Sequence, residues 1–365
     1  MAKRRVRPTS KEQFQLDLFA MEIGEPSIPT LPPPATDKTI NLSGLAAAAA
    51  ATSQPEPEHA PAPTAAPTSR PRLRRTPPVA PERLAERVAQ AWHSHYGGSD
   101  LDIPLGVVAA LTLVRQRDPE GPSLEQQLLA LDPDELLGAL REIWAVAWIA
   151  QPYLMEVAAP LRWWLNQEKD PYKEVVKAAH AVAQAAIKAG LLTITGDPDP
   201  MWRSQADVLS PLLTELRSKG SRDALGEFHT PASVSDAMAS MLLQPGSIKP
   251  GMRICEPAAG TGGMVRAAAL RLRELDFNPR DFYWVMGELN STAAACAAVN
   301  SVVWDLGPNV LIHVGDTLAV GDIERVAFEH RKAVLEHHQQ LMDVAAFAAA
   351  VQQAQDLLNK VTSAA

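Results

Sequence analysis

The sequence predicts an α/β protein in which a parallel sheet follows an α-helical domain and a long disordered tail. Three observations carry that expectation. Short apolar runs alternate with Ala-rich helical segments between residues 226 and 322. Helical spacing, with matched start and stop signals, fills residues 81–225. From residue 21 to 80 the chain is rich in Pro and Ala and poor in large apolar groups.

Residues 1–80 are expected to lack fixed structure. Stretches such as "PSIPTLPPPATDK" and "LAAAAAATSQPEPEHAPAPTAAPTSRPR" cannot bury enough apolar surface to offset the entropy of ordering them. The basic start, "MAKRRVRPTSKEQ", is followed by no apolar run and does not read as a signal peptide. One short stretch in the tail stands apart: "QLDLF", Gln15 to Phe19.

The helical domain reads as a set of capped segments. "PERLAERVAQAWHSHYGG" starts at a proline and stops at Gly97-Gly98. "LDPDELLGALREIWAVAWIAQ" has Asp132 at the N-cap, Pro133 next and Glu135 two residues on, a capping-box pattern. "DPYKEVVKAAHAVAQAAIKAG" repeats the Asp-Pro start and ends on Gly190. "SQADVLSPLLTELRSKG" closes the set. Trp144, Trp148, Trp163 and Trp164 recur at helical spacing with Leu, Ala and Val, and are read as bundle core rather than base-stacking residues.

Residues 226–322 change rhythm. "GMRICEP", "FYWVMGEL" and "NVLIHVGD" read as three strands separated by two helices, a βαβαβ pattern that calls for parallel strands and right-handed crossovers. Three parallel strands leave an edge and an apolar face to be covered, by the C-terminal helices, a second copy or another chain. Residues 323–365 are helical. His330, His337 and His338 lie there at spacings that suit a solvated face, and no metal site is expected.

Composition narrows the classes. The formal net charge of −8 argues against holding a duplex by bulk charge, because such surfaces are basic. Cys255 and Cys296 form no CxxC pair, which points to a reducing, cytoplasmic setting. No apolar run is long enough to span a bilayer.

The chemistry is concentrated in "RICEPAAGTGGMVRAAA", Arg253 to Ala269. A dinucleotide fingerprint places Gly or Ala where this chain has Val265, and a phosphate-binding P-loop requires a Gly-Lys pair that is absent. What remains is an acid, Glu256, ahead of a turn whose glycines, Gly260 and Gly262, allow backbone to approach a ligand closely. Two further acids fall at the next strand ends, Glu288 and Asp316. In open α/β sheets ligands sit at the carboxyl ends of the strands. Glu256 suits an ammonium group, Glu288 a ribose diol and Asp316 an exocyclic amine. Together these describe S-adenosylmethionine on a Rossmann-like sheet.

"GEFHTP" (226–231), "EPAAGTGG" (256–263), "GELNSTAAACAAVN" (287–300) and "GDTL" (315–318) follow one another in order. Over residues 205–320 they resemble the cofactor half of N6-adenine DNA methyltransferases, specifically the modification subunits of type I restriction systems. The resemblance implies that Phe228, Thr230 and Pro231 close over the cofactor. It adds Pro257, Thr261 and Leu289 to the expected binding set. Thr230 is then an N-cap, with Pro231 opening a helix whose N-terminus faces the methionine carboxylate. The family's sheet carries more strands. It grips a flipped adenine with an Asn/Asp-Pro-Pro-aromatic motif after the strand that follows Asp316. No such motif occurs in this sequence beyond Asp316. No catalytic residue is therefore assigned, and the expected partners are DNA and a subunit that supplies the grip.

"QLDLF" resembles the peptide by which bacterial proteins dock on the DNA polymerase sliding clamp. The resemblance implies that Gln15, Leu16, Leu18 and Phe19 bind that partner. A coil of roughly 60 residues behind it gives an end-to-end distance of about 40 Å. The sequence thus supports two readings: a DNA adenine methyltransferase-like protein that needs a partner for catalysis, or a non-catalytic cofactor-binding scaffold recruited to replicating DNA.

Overall fold

The computed structural model of the chain describes residues 39–42, 79–116, 120–167, 170–217 and 230–363. Gln15, Leu16, Leu18, Phe19 and Phe228 lie outside the described residues.

The first element corrects the reading of the tail. Thr39–Asn41 forms a strand, β1, parallel to β2 (Arg253–Glu256), and Leu42 beyond it is fully buried. The Leu42 N–H donates to the Cys255 carbonyl at 2.9 Å. A three-residue strand in a Pro/Ala background is too short for periodicity to reveal. It forms because β2 has backbone groups on its outer edge that must be bonded.

Helices fill residues 81–216. Helix α1 (Pro81–His95) opens on its proline and buries Leu84, Ala85, Val88, Ala89 and Trp92, one face at helical spacing. Helix α2 (Asp102–Thr112) is buried from Ile103 onward and runs through the centre of the layer. After α3 (Leu124–Ala130), α4 (Pro133–Ala150) carries the expected capping box. Asp132 Oδ1 accepts from the Asp134 and Glu135 N–H groups at 2.9 Å each, and Glu135 Oε2 accepts from the Asp132 N–H at 2.9 Å. Helix α5 (Pro152–Val157) follows. Helix α6 (Lys173–Lys188) begins later than the Asp170-Pro171 start predicted, with Tyr172 as an N-cap that makes no side-chain bond. The chain leaves α6 through Gly190 at φ 89°, a left-handed turn suited to glycine. Helices α7 (Leu191–Thr195), α8 (Pro200–Arg203) and α9 (Leu209–Leu216) complete the layer.

Trp144 and Trp164 are each 3% exposed, and Trp148 packs against the core from its margin. Trp163 departs from the expected core set at 45% exposure, because a short 3-10 turn (Trp163–Leu165) replaces helix there and turns its ring outward.

Beyond α10 (Ala232–Leu242) the chain builds the sheet: β2, α11 (Gly263–Glu274), β3 (Tyr283–Glu288), α12 (Ser291–Val303), β4 (Val310–Val314). All pairs are parallel, in the order β1-β2-β3-β4. Among the described residues there are four strands where three were readable. The last element is a single helix, α13 (Ile323–Ser363), of 41 residues.

Helix α13 lies across one face of the sheet. Ala327 and Phe328 pack on Leu311 of β4, and Glu324 pairs with Arg253 of β2 at 2.8 Å. His338, expected on a solvated face, is 2% exposed, with its ring 4.7 Å from that of Trp148. Periodicity on a charged helix cannot show that one face lies against another element. From Leu341 to Gln353 the helix is exposed, including Phe347 at 72%.

One apolar core runs through both layers, from Leu84 of α1 to Ile312 of β4. Three buried arginines bridge elements at that junction. Arg203 of α8 donates to the Val303 carbonyl at 2.7 Å. Arg266 donates to the Ser204 carbonyl at 3.0 Å, and Arg273 to Ser204 Oγ at 2.8 Å. Among the described residues no helix is long and apolar enough to cross a membrane.

Candidate functional site

The Gly turn leaves β2 at Glu256 and enters α11 at Gly263. Two positive-φ glycines shape it: Gly260 at 56° and Gly262, the N-cap of α11, at 95°. At Gly262 a Cβ would also stand 3.1 Å from the Trp304 ring. The turn docks on the next strand, since the Ala259 N–H donates to the Gly287 carbonyl at 2.9 Å. Its tip is held by a carboxylate, with the Gly260 N–H donating to Glu288 Oε2 at 2.8 Å.

The three acids share one local arrangement. Each accepts from the backbone N–H two residues on: Ala258 to Glu256 at 3.1 Å, Asn290 to Glu288 at 2.7 Å, and Leu318 to Asp316 at 2.9 Å. The register sets Glu256 beside Met286 and Glu288 beside Val314, so the acids step along the carboxyl ends of β2, β3 and β4. Their exposure is graded. Glu256 is 1% exposed beneath the turn, Glu288 is half-buried and Asp316 is exposed. Leu289 projects into solvent at 72% exposure.

A cavity of about 490 Å³ opens beside the turn. Ala258, Ala259, Gly260 and Thr261 form one wall, and Thr230, Pro231 and Ala232 another. The third comes from Asp207, Ser210 and Thr214 at α9. Of the expected binding residues, Thr230, Pro231, Gly260 and Thr261 line it, whereas Glu256, Pro257, Gly262, Glu288, Leu289 and Asp316 do not. The N-terminus of α10 faces this space, but Pro231 rather than Thr230 is its N-cap, with no side-chain cap bond. The reason is local: residue 231 is extended (φ −54°, ψ 140°), so the helix starts one residue later than predicted.

Three residues of the site escaped sequence reasoning. Asp207 accepts from the Thr261 hydroxyl at 3.3 Å, from the Asn300 amide at 3.3 Å and from the N–H groups of Leu209 and Ser210 at 3.1 Å each. Asn300 also donates to the Thr261 carbonyl at 2.9 Å, which ties the turn to α12. Arg266 pairs with Asp236 of α10 at 2.8 Å and lines the cavity. The signal for Asp207 was an acid immediately before an apolar helical run. Asn300 and Arg266 sit in Ala-rich helices without any local mark.

The cavity's charge suits a cationic ligand: Glu82, Asp207 and Glu215 line it against Arg266. Nearby, burial raises the Asp102 carboxyl above its ordinary range although Thr292 donates to it at 2.8 Å. Among the described residues no cluster of His, Cys, Asp and Glu could hold a metal ion.

A parallel sheet with a glycine turn after one strand and acids at successive strand ends is a Rossmann-like arrangement. Residues 207–343 match the family model of the N-6 DNA methylases, so this part of the chain is similar to that family. The match starts at Asp207, within the segment first read as the helical domain, and continues into α13, beyond the 205–320 of the resemblance. Comparison with curated proteins yields no match.

Proposed function

We propose that the protein binds S-adenosylmethionine beside the Gly turn and serves N6-adenine methylation of DNA together with another subunit. One observation carries the reading: a Gly turn pinned by Glu288 opens onto an acid-lined cavity closed by the α10 N-terminus. The residues present fit the cofactor. Gly260 and Gly262 keep side chains off the turn, and the acidic lining favours a ligand bearing ammonium and sulfonium groups. The α10 N-terminus favours a carboxylate. Glu288 does not line the cavity; it accepts the Gly260 and Asn290 N–H groups at the turn and, half-buried there, keeps acceptor capacity for a ribose that reaches past the turn, since an ionised carboxylate has about four acceptor sites. When bound, the cofactor supplies the methyl group. This chain's part is to hold and orient it.

The base-gripping residues would come from another subunit. A second reading rests on the segment Gln15 to Phe19. In it the chain is a cofactor-binding scaffold brought to replicating DNA by Gln15–Phe19. Calorimetry with S-adenosylmethionine tests what both share, and heat from NAD but none from S-adenosylmethionine would overturn it. Repeating the titration with DNA and candidate partner subunits separates the two.

A further inference from the structure

Helix α13 carries two apolar faces, one in each half. In the first half Ala327 and Phe328 pack on β4 and His338 packs on Trp148, with Leu335 buried as well. From Leu341 to Gln353 every residue is exposed. Yet Val344, Phe347 and Val351 lie there, at 66%, 72% and 41% exposure. At about 100° per residue, their mean direction is about 180° from that of the buried set. The second face is therefore not a continuation of the first. Whatever covers it approaches from the side of α13 that faces away from this chain's own body.

The spacing says what kind of surface fits. Val344, Phe347 and Val351 are three and four residues apart, and the sequence carries the alternation on at Ala354, Leu358 and Val361. Steps of three and four place apolar residues at the a and d positions of a heptad, the seam of a coiled coil. From Val344 to Val361 the seam is about 27 Å long at 1.5 Å per residue. A large, contiguous exposed apolar stripe of this kind marks an interaction site.

The charges say which helix fits. Partner choice in a coiled coil is set at the e and g positions beside the seam. Ala348, Ala350 and Gln355 hold those positions here, and no charged residue occurs between Asp343 and Asp356. Nothing there selects a helix of opposite charge, and a second copy meets no like charge. The alanines also let two axes approach to about 8 Å. Elsewhere a chain of net charge −8 repels its own copies, so a neutral apolar stripe is where two of them can meet. We propose that the second half of α13 is a homodimer interface, in which Val344, Phe347 and Val351 pack against the same helix of a second copy. None of these residues lines the Gly-turn cavity, and the inference does not rest on the methyl-donor reading.

The test is sedimentation velocity of the full chain from about 1 to 100 μM, which should show a reversible dimer with a micromolar midpoint. Phe347→Glu combined with Val351→Glu should raise that midpoint at least about 30-fold, because it forces charges into the seam. Both positions are exposed in the single chain and Glu is a good helix former. The helical circular dichroism and the Tm of the diluted monomer should therefore stay unchanged. Phe347→Leu keeps the seam apolar and should keep the dimer. Ala349→Glu, on the side of the helix away from the seam, should leave the midpoint within about 3-fold of wild type. A chain that stays monomeric to about 100 μM overturns the proposal and leaves the stripe to a helix of another protein. A dimer that survives the double change, or that Ala349→Glu disrupts as strongly, also overturns it, since the copies then meet elsewhere.

Discussion

The phenol of Tyr153 holds both backbone groups of Ile312: it accepts from the N–H at 2.9 Å and donates to the carbonyl at 3.1 Å. Ile312 lies in the middle of β4, the last strand of the sheet, and Tyr153 lies on α5. A side chain here does what a fifth strand would do at that position.

Tyr153→Phe keeps the ring and removes both bonds. Two buried backbone groups lose their partner, so stability should fall by about 1–3 kcal/mol. Urea unfolding measures it. An unchanged midpoint would mean that water replaces the hydroxyl without cost.

The same residue gives a pH signature. Burial pushes the Tyr153 phenol up to about 12 from an ordinary 10. The folded pKa is the higher one, so the neutral phenol's contribution is complete below pH 10 and is lost as pH rises from 10 to 12. Over that window wild type should lose about 2 kcal/mol more than Tyr153→Phe. Arg115 and Arg273, each lowered to about 10, act in the opposite sense, but they are common to both proteins and cancel in the difference. Parallel curves for the two proteins would contradict this.

Glu288 tethers Gly260 and is the expected ribose acceptor. Glu288→Ala should weaken S-adenosylmethionine binding by about 1–3 kcal/mol through loss of charge-assisted bonds. The heat of titration reads it directly. Wild-type affinity in the variant would remove Glu288 from the site.

A peptide covering residues 10–22 should bind the bacterial sliding clamp with micromolar affinity, with Leu18 and Phe19 as the expected apolar anchors. Short motifs rest on a few such anchors, so changing both to Ala should abolish binding in fluorescence anisotropy. Equal binding by the changed peptide rules the motif out.

Saturated with cofactor, the purified chain should transfer no methyl groups to unmethylated genomic DNA above background. A methyl donor near an adenine that is not flipped and held gives little acceleration, since most of the gain comes from a fixed near-attack geometry. Tritium transfer measures it. Activity from the lone chain would show that other residues hold the base, and activity only with a partner would favour the two-subunit reading.

The residues themselves determined what is local. Asp132 and Glu135 announce a capping box because its atoms lie within one turn of helix. The βαβαβ rhythm and the acids Glu256, Glu288 and Asp316 are legible because each sits at a strand end beside a turn. Tertiary structure alone decided what depends on distant partners. Thr39–Asn41 becomes a strand because β2 has an open edge more than two hundred residues away in sequence. His338 is buried because α13 lies against Trp148, and Asp207 reaches Thr261 and Asn300 because α9 packs beside the Gly turn. Arg115 looks like any helix-end arginine in the sequence. Only the packing of α2, α5, α8 and the loops before β3 and β4 closes a low-dielectric wall around it and leaves its side-on edge without a partner.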